Sequence, residues 1–332
     1  LTLSSVSVAE DSYKICWSIY VGWMPWSYGD SSGIVDKWAD KYGIDIEVVQ
    51  INDYVESINQ YTAGEYDACT MTNMDALTIP AAGGVDSTAL IVGDFSNGND
   101  AVLLKGKGGL PDIKGQNVNL VELSVSHYLL ARALDSVGMT ERDLKVVNTA
   151  DADMVAAFTT KDVTAVVTWN PLVEEILAMP DSNKVFDSSQ IPGEIIDALV
   201  INTEVLEQSP KLAKALVGAW YEIMAAVQAD GAVRAQLGAE SGTDQAGYES
   251  QLASTKMFYT PEDAVAFTNS DSLIKTMQYV AEFSFAHGLL GDGAPDATFI
   301  GIETPAGVYG NASNIKLRFN SDYMTMAAEG KL

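Results

Sequence analysis

Cys16-Trp17-Ser18-Ile19-Tyr20-Val21-Gly22-Trp23-Met24-Pro25-Trp26-Ser27-Tyr28-Gly29 decides the reading of this chain. It begins as an apolar strand and breaks at Gly22 and Pro25 into a loop holding two Trp and a Tyr. An amphipathic helix follows from about Ser31. Aromatic rings exposed at the end of a first strand line a ligand cleft, so this stretch predicts both the start of a sheet and one wall of a site.

Outward from it the pattern repeats. A strand at about 14–21 and a helix near 31–42 lead to Ile44-Asp45-Ile46-Glu47-Val48-Val49-Gln50, whose alternation reads as a strand. Asn52-Asp53 caps a helix through Tyr61. Ala68-Cys69-Thr70-Met71 runs into Thr72-Asn73-Met74-Asp75 and another helix, and Ala89-Leu90-Ile91-Val92 precedes Gly93-Asp94-Phe95-Ser96-Asn97-Gly98-Asn99-Asp100. This β-α-β order predicts a mostly parallel sheet with helices on both faces, and ligands beyond the carboxyl ends of its strands.

Lys105-Gly106-Lys107-Gly108-Gly109-Leu110-Pro111 is Gly-rich and aperiodic, and it reads as a crossing between lobes. The alternation then restarts at strand 117–121, helix 126–137, strand 145–147, helix 151–160, strand 165–167, helix 171–178 and a short strand near 184–186. Ile195 to Ile201 is an apolar strand that leads back. After it the chain reads as helices to His287, with a tail from Asp292 that reads as loop. The predicted division is a first lobe of 13–104 plus 198–332 and a second of 105–197.

Bulk properties exclude several classes. The 332 residues are 47% hydrophobic with mean hydropathy +0.07, enough to bury a large core in two domains. A formal charge of −26, from 45 acidic against 19 basic residues, is opposite in sign to a nucleic-acid-binding field. Solvation in a salty environment and attraction of a cationic ligand both account for it, and only acids in the cleft bear on specificity. No apolar run reaches 18 residues. Leu1 to Ser12 are small and polar without a charged segment, as in a mature or trimmed N-terminus, which predicts an exported chain. Cys16 and Cys69 each sit in an apolar strand pattern; neighbouring strands would allow a disulfide, but buried free thiols are the expectation. Two Cys and two His so far apart leave no zinc site.

Two α/β lobes with a helical C-terminal third resemble the periplasmic substrate-binding proteins of ABC transporters. Ser126-His127-Tyr128-Leu129-Leu130, Val166-Val167-Thr168-Trp169-Asn170-Pro171 and the stretch from Gly93 to Asp100 look like the nitrate/sulfonate/taurine-type branch. More narrowly the chain resembles members called urea or urea-carboxylase-related binding proteins, linked to transport of small nitrogen compounds such as guanidinium. The resemblance covers about residues 14–290. It implies an α/β, two-lobed, type II periplasmic-binding-protein-like fold with hinge crossings. It also implies a monomer outside the cytoplasm that captures a solute by hinge closure and delivers it to a membrane permease, with no cofactor. Sulfonate-type relatives carry Lys-Gly-Ser where this chain has Glu122-Leu123-Ser124, and often Trp-Asp-Pro where it has Trp169-Asn170-Pro171. The reversal of charge at Glu122 argues against an anion.

The candidate ligand contacts are Trp23, Trp26, Asp53, Asn73, Asp75, Asp94 and Asn97 from the first lobe and Glu122, Ser124, Trp169 and Asn170 from the second, with Asp197 near the return crossing. The set is aromatic plus acidic. A planar cation with several N–H donors needs an aromatic face and paired carboxylates, whereas sulfonate or nitrate needs basic groups or helix N-termini. Asp53, Asp75 and Asp151 also fit ordinary helix caps, Asp94 and Asp100 flank a turn, and His127 reads as packing. Neutral urea and taurine are the alternative ligands. Catalysis has little support: the thiamin-precursor enzymes of this architecture carry a cysteine cluster that is missing here. Ser124 and His127 lack a nucleophile elbow, and Gly106-Lys107-Gly108-Gly109 lacks the phosphate-loop spacing. A receptor ectodomain would need a signalling segment that this sequence does not contain.

Overall fold

The computed structural model describes residues 11–332. The expectation about the N-terminal segment therefore lies almost wholly outside the described residues. Fourteen strands form among them: β1 (Asp11–Trp17), β2 (Ile44–Gln50), β3 (Ala68–Thr72), β4 (Ser87–Ser96), β5 (Ala101–Lys105), β6 (Asn117–Leu120), β7 (Lys145–Asn148), β8 (Ala165–Thr168), β9 (Ser182–Asp187), β10 (Ile196–Asn202), β11 (Thr255–Met257), β12 (Gly301–Thr304), β13 (Gly307–Tyr309) and β14 (Ile315–Phe319).

They divide into two sheets. One runs β13-β12-β14-β4-β10-β3-β1-β2, with β11 beside β4, and the other runs β7-β6-β8-β5-β9. In the first, β1 pairs parallel with β2 and β3, and the return strand β10 is inserted antiparallel between β3 and β4. That sheet is consequently mixed rather than mostly parallel. Period-2 patterning fixes which face a residue takes but not which strand it pairs with.

Both crossings are displaced from their predicted places. β5, assigned to the first lobe from its sequence, pairs with β8 and β9 in the second sheet, so the chain leaves the first lobe between Ser96 and Ala101. It returns between Asp187 and Ile196. The Gly-rich stretch after Lys105 instead feeds a short turn of helix, Leu110–Ile113, on the second lobe.

Three further expectations are corrected. The tail after Asp292 adds three strands and the helix Asp322–Ala328, with β14 pairing parallel to β4. Its glycines serve the tight hairpin, since a Cβ on Gly310 (φ +78°) would lie 2.3 Å from the Ile300 carbonyl. The first helix begins at Pro25, not Ser31: Pro25–Ser31 is helical, and Ile34–Tyr42 follows after a left-handed Gly33. Cys16 and Cys69 are not free thiols. They stand opposite each other on β1 and β3 with Cα atoms 4.5 Å apart and form a disulfide.

Much of the core lies on the first sheet, where the helix Pro210–Ala229 buries Leu212, Leu216, Trp220, Ile223 and Met224. Among the described residues no helix is long and apolar enough to cross a membrane.

Candidate functional site

The carboxyl ends of β1, β3, β6 and β8 converge between the sheets. After β1 the amides of Trp23 and Met24 both donate to the Tyr20 carbonyl at 2.9 and 3.0 Å, a turn that folds the indole of Trp23 back over the sheet. Trp23 packs edge-on to Tyr20, ring centroids 4.9 Å apart, and against Tyr54 at 5.4 Å. Tyr54 is the first helical residue after Asp53, whose carboxylate caps the helix Tyr54–Thr62 by accepting from the Glu56 amide at 2.9 Å. From the other lobe Trp169 meets Tyr54 edge-on at 5.5 Å. These four rings, with Thr72, Asp100, Val125 and Asp197, line a small, nearly filled pocket between the lobes. A second, equally small, lies beneath Trp23 and shares Asp197 with it.

The charge at this place is one-sided. Asp75, Asp94, Asp100 and Asp197 are all at most 3% exposed, and no Lys, Arg or His lines either cavity. Asp75 Oδ2 accepts from Tyr54 Oη (2.7 Å), Thr72 Oγ1 (2.9 Å) and the Val125 amide (3.3 Å). Asp94 Oδ1 accepts from Tyr20 Oη at 2.7 Å. Asp100 Oδ2 accepts from Ser96 Oγ at 2.6 Å, within the outgoing crossing. Asp75 Oδ1, Asp94 Oδ2 and Asp197 Oδ2 are buried without a partner, as is Trp23 Nε1. Burial pushes the carboxyl of Asp75 up to about 6 and that of Asp100 up to about 7, because an unpaired carboxylate is costly away from water. Asp94 and Asp197 are raised in the same direction by burial, and Asp197 further by the negative charge of Asp94.

The lobes touch through bonds that cross this cavity. Trp169 Nε1 donates to the Ile19 carbonyl at 2.9 Å, the Val21 amide to the Asn170 carbonyl at 3.3 Å, and the Tyr54 amide to Asp151 Oδ1 at 3.1 Å. The Val125 amide reaching Asp75 is a fourth. Farther out, Arg132 makes a two-pronged pair with Glu194 at 2.9 Å and lies over the rings of Tyr279 and Phe283. The structure is therefore a closed form with its cleft shut.

Of the predicted contacts, Trp23, Trp169 and Asp197 line the main cavity, and Asp94 and Asp75 stand directly behind its Tyr20 and Tyr54 walls. Trp26 belongs to the second cavity and stacks on Trp220 at 5.1 Å. Others stand elsewhere. Asp53 is the cap just described, and Ser124 caps the helix Val125–Ser136 through the Ser126 amide at 3.2 Å. Asn73 holds the return crossing, accepting from the Ile196 amide and donating to the Glu194 carbonyl, both at 3.0 Å. Asn170 braces its own helix through the Glu174 amide at 3.1 Å. Asn97 and Glu122 are exposed. Tyr20, Tyr54, Thr72, Asp100 and Val125 are lining residues that the sequence pattern does not single out. For Tyr54 the signal was its place directly after a capped strand-to-helix turn.

Comparison with known proteins supplies relatives. Residues 18–239 match the NMT1-like family. A protein of Brucella abortus (strain 2308), whose name describes it only provisionally as a binding protein, is 23% identical over 185 residues, 54% of this chain and 56% of its own length. The chain thus spans about half the length of the curated relatives it matches. Among solved structures, the alkanesulfonate-binding protein SsuA of Xanthomonas axonopodis pv. citri, bound to MOPS, superposes with TM-score 0.72 at 18% identity, covering 86% of this chain and 96% of that one. The periplasmic nitrate-binding protein NrtA of Synechocystis PCC 6803 gives 0.69 at 14% identity, covering 97% and 89%. The fold is that of the periplasmic binding proteins, and with two thirds of its length matched the chain belongs to the NMT1-like family.

Proposed function

We propose that this protein is the extracytoplasmic solute-binding component of an ABC importer. It captures a small, nitrogen-rich cation of guanidinium type between its lobes and presents the closed form to a membrane permease. The observation that carries the reading is the small aromatic pocket between the lobes with four buried carboxylates around it and no basic side chain in its lining. A nitrate or sulfonate placed there would face like charge in a low dielectric, whereas a planar cation gains ring faces and unpaired acceptor oxygens. Cation–π attraction in a desolvated box is worth about 2 kcal/mol. Capture by closure follows from differential affinity, since the solute contacts both lobes only when they meet.

Neutral urea is the second reading, favoured by the buried, unpartnered Trp23 Nε1, which a carbonyl oxygen would satisfy. A thermal-shift panel of guanidinium at low millimolar concentration, urea, taurine, nitrate and short polyamines tests both. A ligand at 100 times its dissociation constant stabilises by about 2.7 kcal/mol. The cation reading expects a shift with guanidinium; shifts confined to taurine or nitrate reject it. Asp94→Asn then separates the two readings, weakening a cation far more than urea.

A further inference from the structure

Asp94 and Asp197 are direct cross-strand partners on β4 and β10, with a register irregularity immediately after Asp197. Both are buried, and each keeps one oxygen, Oδ2, without a partner. A Cβ on Gly22 would stand 2.5 Å from Asp94 Oδ2, so the loop after β1 approaches that oxygen as bare backbone. The titratable groups that face the pair from neighbouring elements are Tyr20 on that loop, Asp100 on the crossing, Tyr248 on the helix Gln245–Ala253 and Tyr259 just after β11. None carries a positive charge. Two carboxylates this placed cannot both ionise in a dry site without a positive charge between them.

We propose that Asp94 and Asp197 form the specificity-determining unit of the site, one that demands a single positive charge: a proton in the empty closed protein, and the N–H edge of the solute in the loaded one. This rests on the cation reading above. The exchange balances: the pair, one acid and one carboxylate, takes up the cation, forms two charge-assisted N–H···O bonds and releases one proton to solvent. Because both aspartates belong to the same sheet, opening the lobes hydrates them without separating them. Closure removes that water and tightens the demand. A neutral isostere leaves the proton in place and forgoes the charge-assisted bonds, and a fully alkylated ammonium has no N–H to offer either oxygen. The pair therefore selects on charge and on donor number together.

The test is calorimetry of guanidinium, urea and tetramethylammonium between pH 5.5 and 8, in buffers of different ionisation enthalpy. Small-angle scattering of the ligand-free protein over the same range accompanies it. Expected are release of about one proton per guanidinium at the acid end, an affinity falling about tenfold per pH unit there, and compaction of the empty protein on acidification. Asp197→Asn should abolish the proton release and the acid compaction and cut the preference for guanidinium over urea at least tenfold. Guanidinium binding without proton exchange anywhere in the range overturns the inference, and it does so in the wild-type protein whether or not the variant folds. If guanidinium fails to bind yet the empty protein compacts in acid and Asp197→Asn prevents it, the proton-for-charge demand stands and the guanidinium assignment falls. Neither binding nor acid compaction overturns both.

Discussion

Trp169→Phe isolates what closure is worth. The indole Nε1 donates to the Ile19 carbonyl on the opposite lobe at 2.9 Å, while the ring meets Tyr54. Phenylalanine keeps most of the ring contact and deletes the donor. With the lobes apart the Ile19 carbonyl is hydrated, so the substitution leaves the open form nearly unchanged. In the closed form that carbonyl loses its partner beside an indole site that is only 3% exposed. A lost bond of this kind costs about 1–3 kcal/mol, and the whole of it falls on the open-to-closed equilibrium. Solute affinity should then weaken by about 5- to 150-fold, with the melting temperature of the ligand-free protein barely moved. Titration calorimetry reads the affinity, and fluorescence transfer between dyes on the two lobes reads closure. Unchanged affinity and unchanged closure would refute the view that Trp169 acts as a strut made only on closing.

Three other outcomes are expected. Gly22→Ala places a methyl 2.5 Å from both Asp94 Oδ2 and Tyr20 Cε1 and should destabilise by about 1–3 kcal/mol in denaturant titration, with a larger loss of ligand binding. Replacing both Cys16 and Cys69 by Ala removes a cross-link spanning 53 positions and should cost about 4 kcal/mol by chain entropy; free-thiol titration of the denatured wild-type protein should find none before reduction. For pH, Asp75 and Asp100 are raised to about 6 and about 7 in the fold against about 3.9 unfolded, so the native state binds more protons between those values. The stability of the ligand-free protein should decline as pH rises from about 4 to 7, and a bound cation should remove most of that decline in thermal melts.

The lobes and the acidic, aromatic character of the cleft were legible because strand alternation and capped strand-to-helix turns are local signals. Asp53, Asp75 and Asp94 all sat at such turns or strand ends. Whether an aspartate there caps a helix or faces a cavity depends on the partner strand, which no local pattern carries: Asp53 turned to the Glu56 amide, whereas Asp94 came to face Asp197 across 103 positions of chain. The disulfide escaped for the same reason, since the pairing of β1 with β3 is a matter of register. Glu122 drew notice through charge reversal, yet its turn points outward; there Leu123 adopts φ +62° and the Leu123 amide donates to His127 Nδ1 at 3.0 Å. The tail reads as loop in the sequence because its strands are only three to five residues long and its Gly, Pro and Asn fill the turns between them.

A crystal structure of the protein grown with guanidinium addresses the central claim most directly. The account predicts a planar solute under Trp23 and Trp169 with N–H groups on Asp197 and Asp94, and the lobes closed as they are here. A sulfonate or nitrate held in that pocket in preference to the cation, or a cation bound without contact to Asp94 or Asp197, would contradict it.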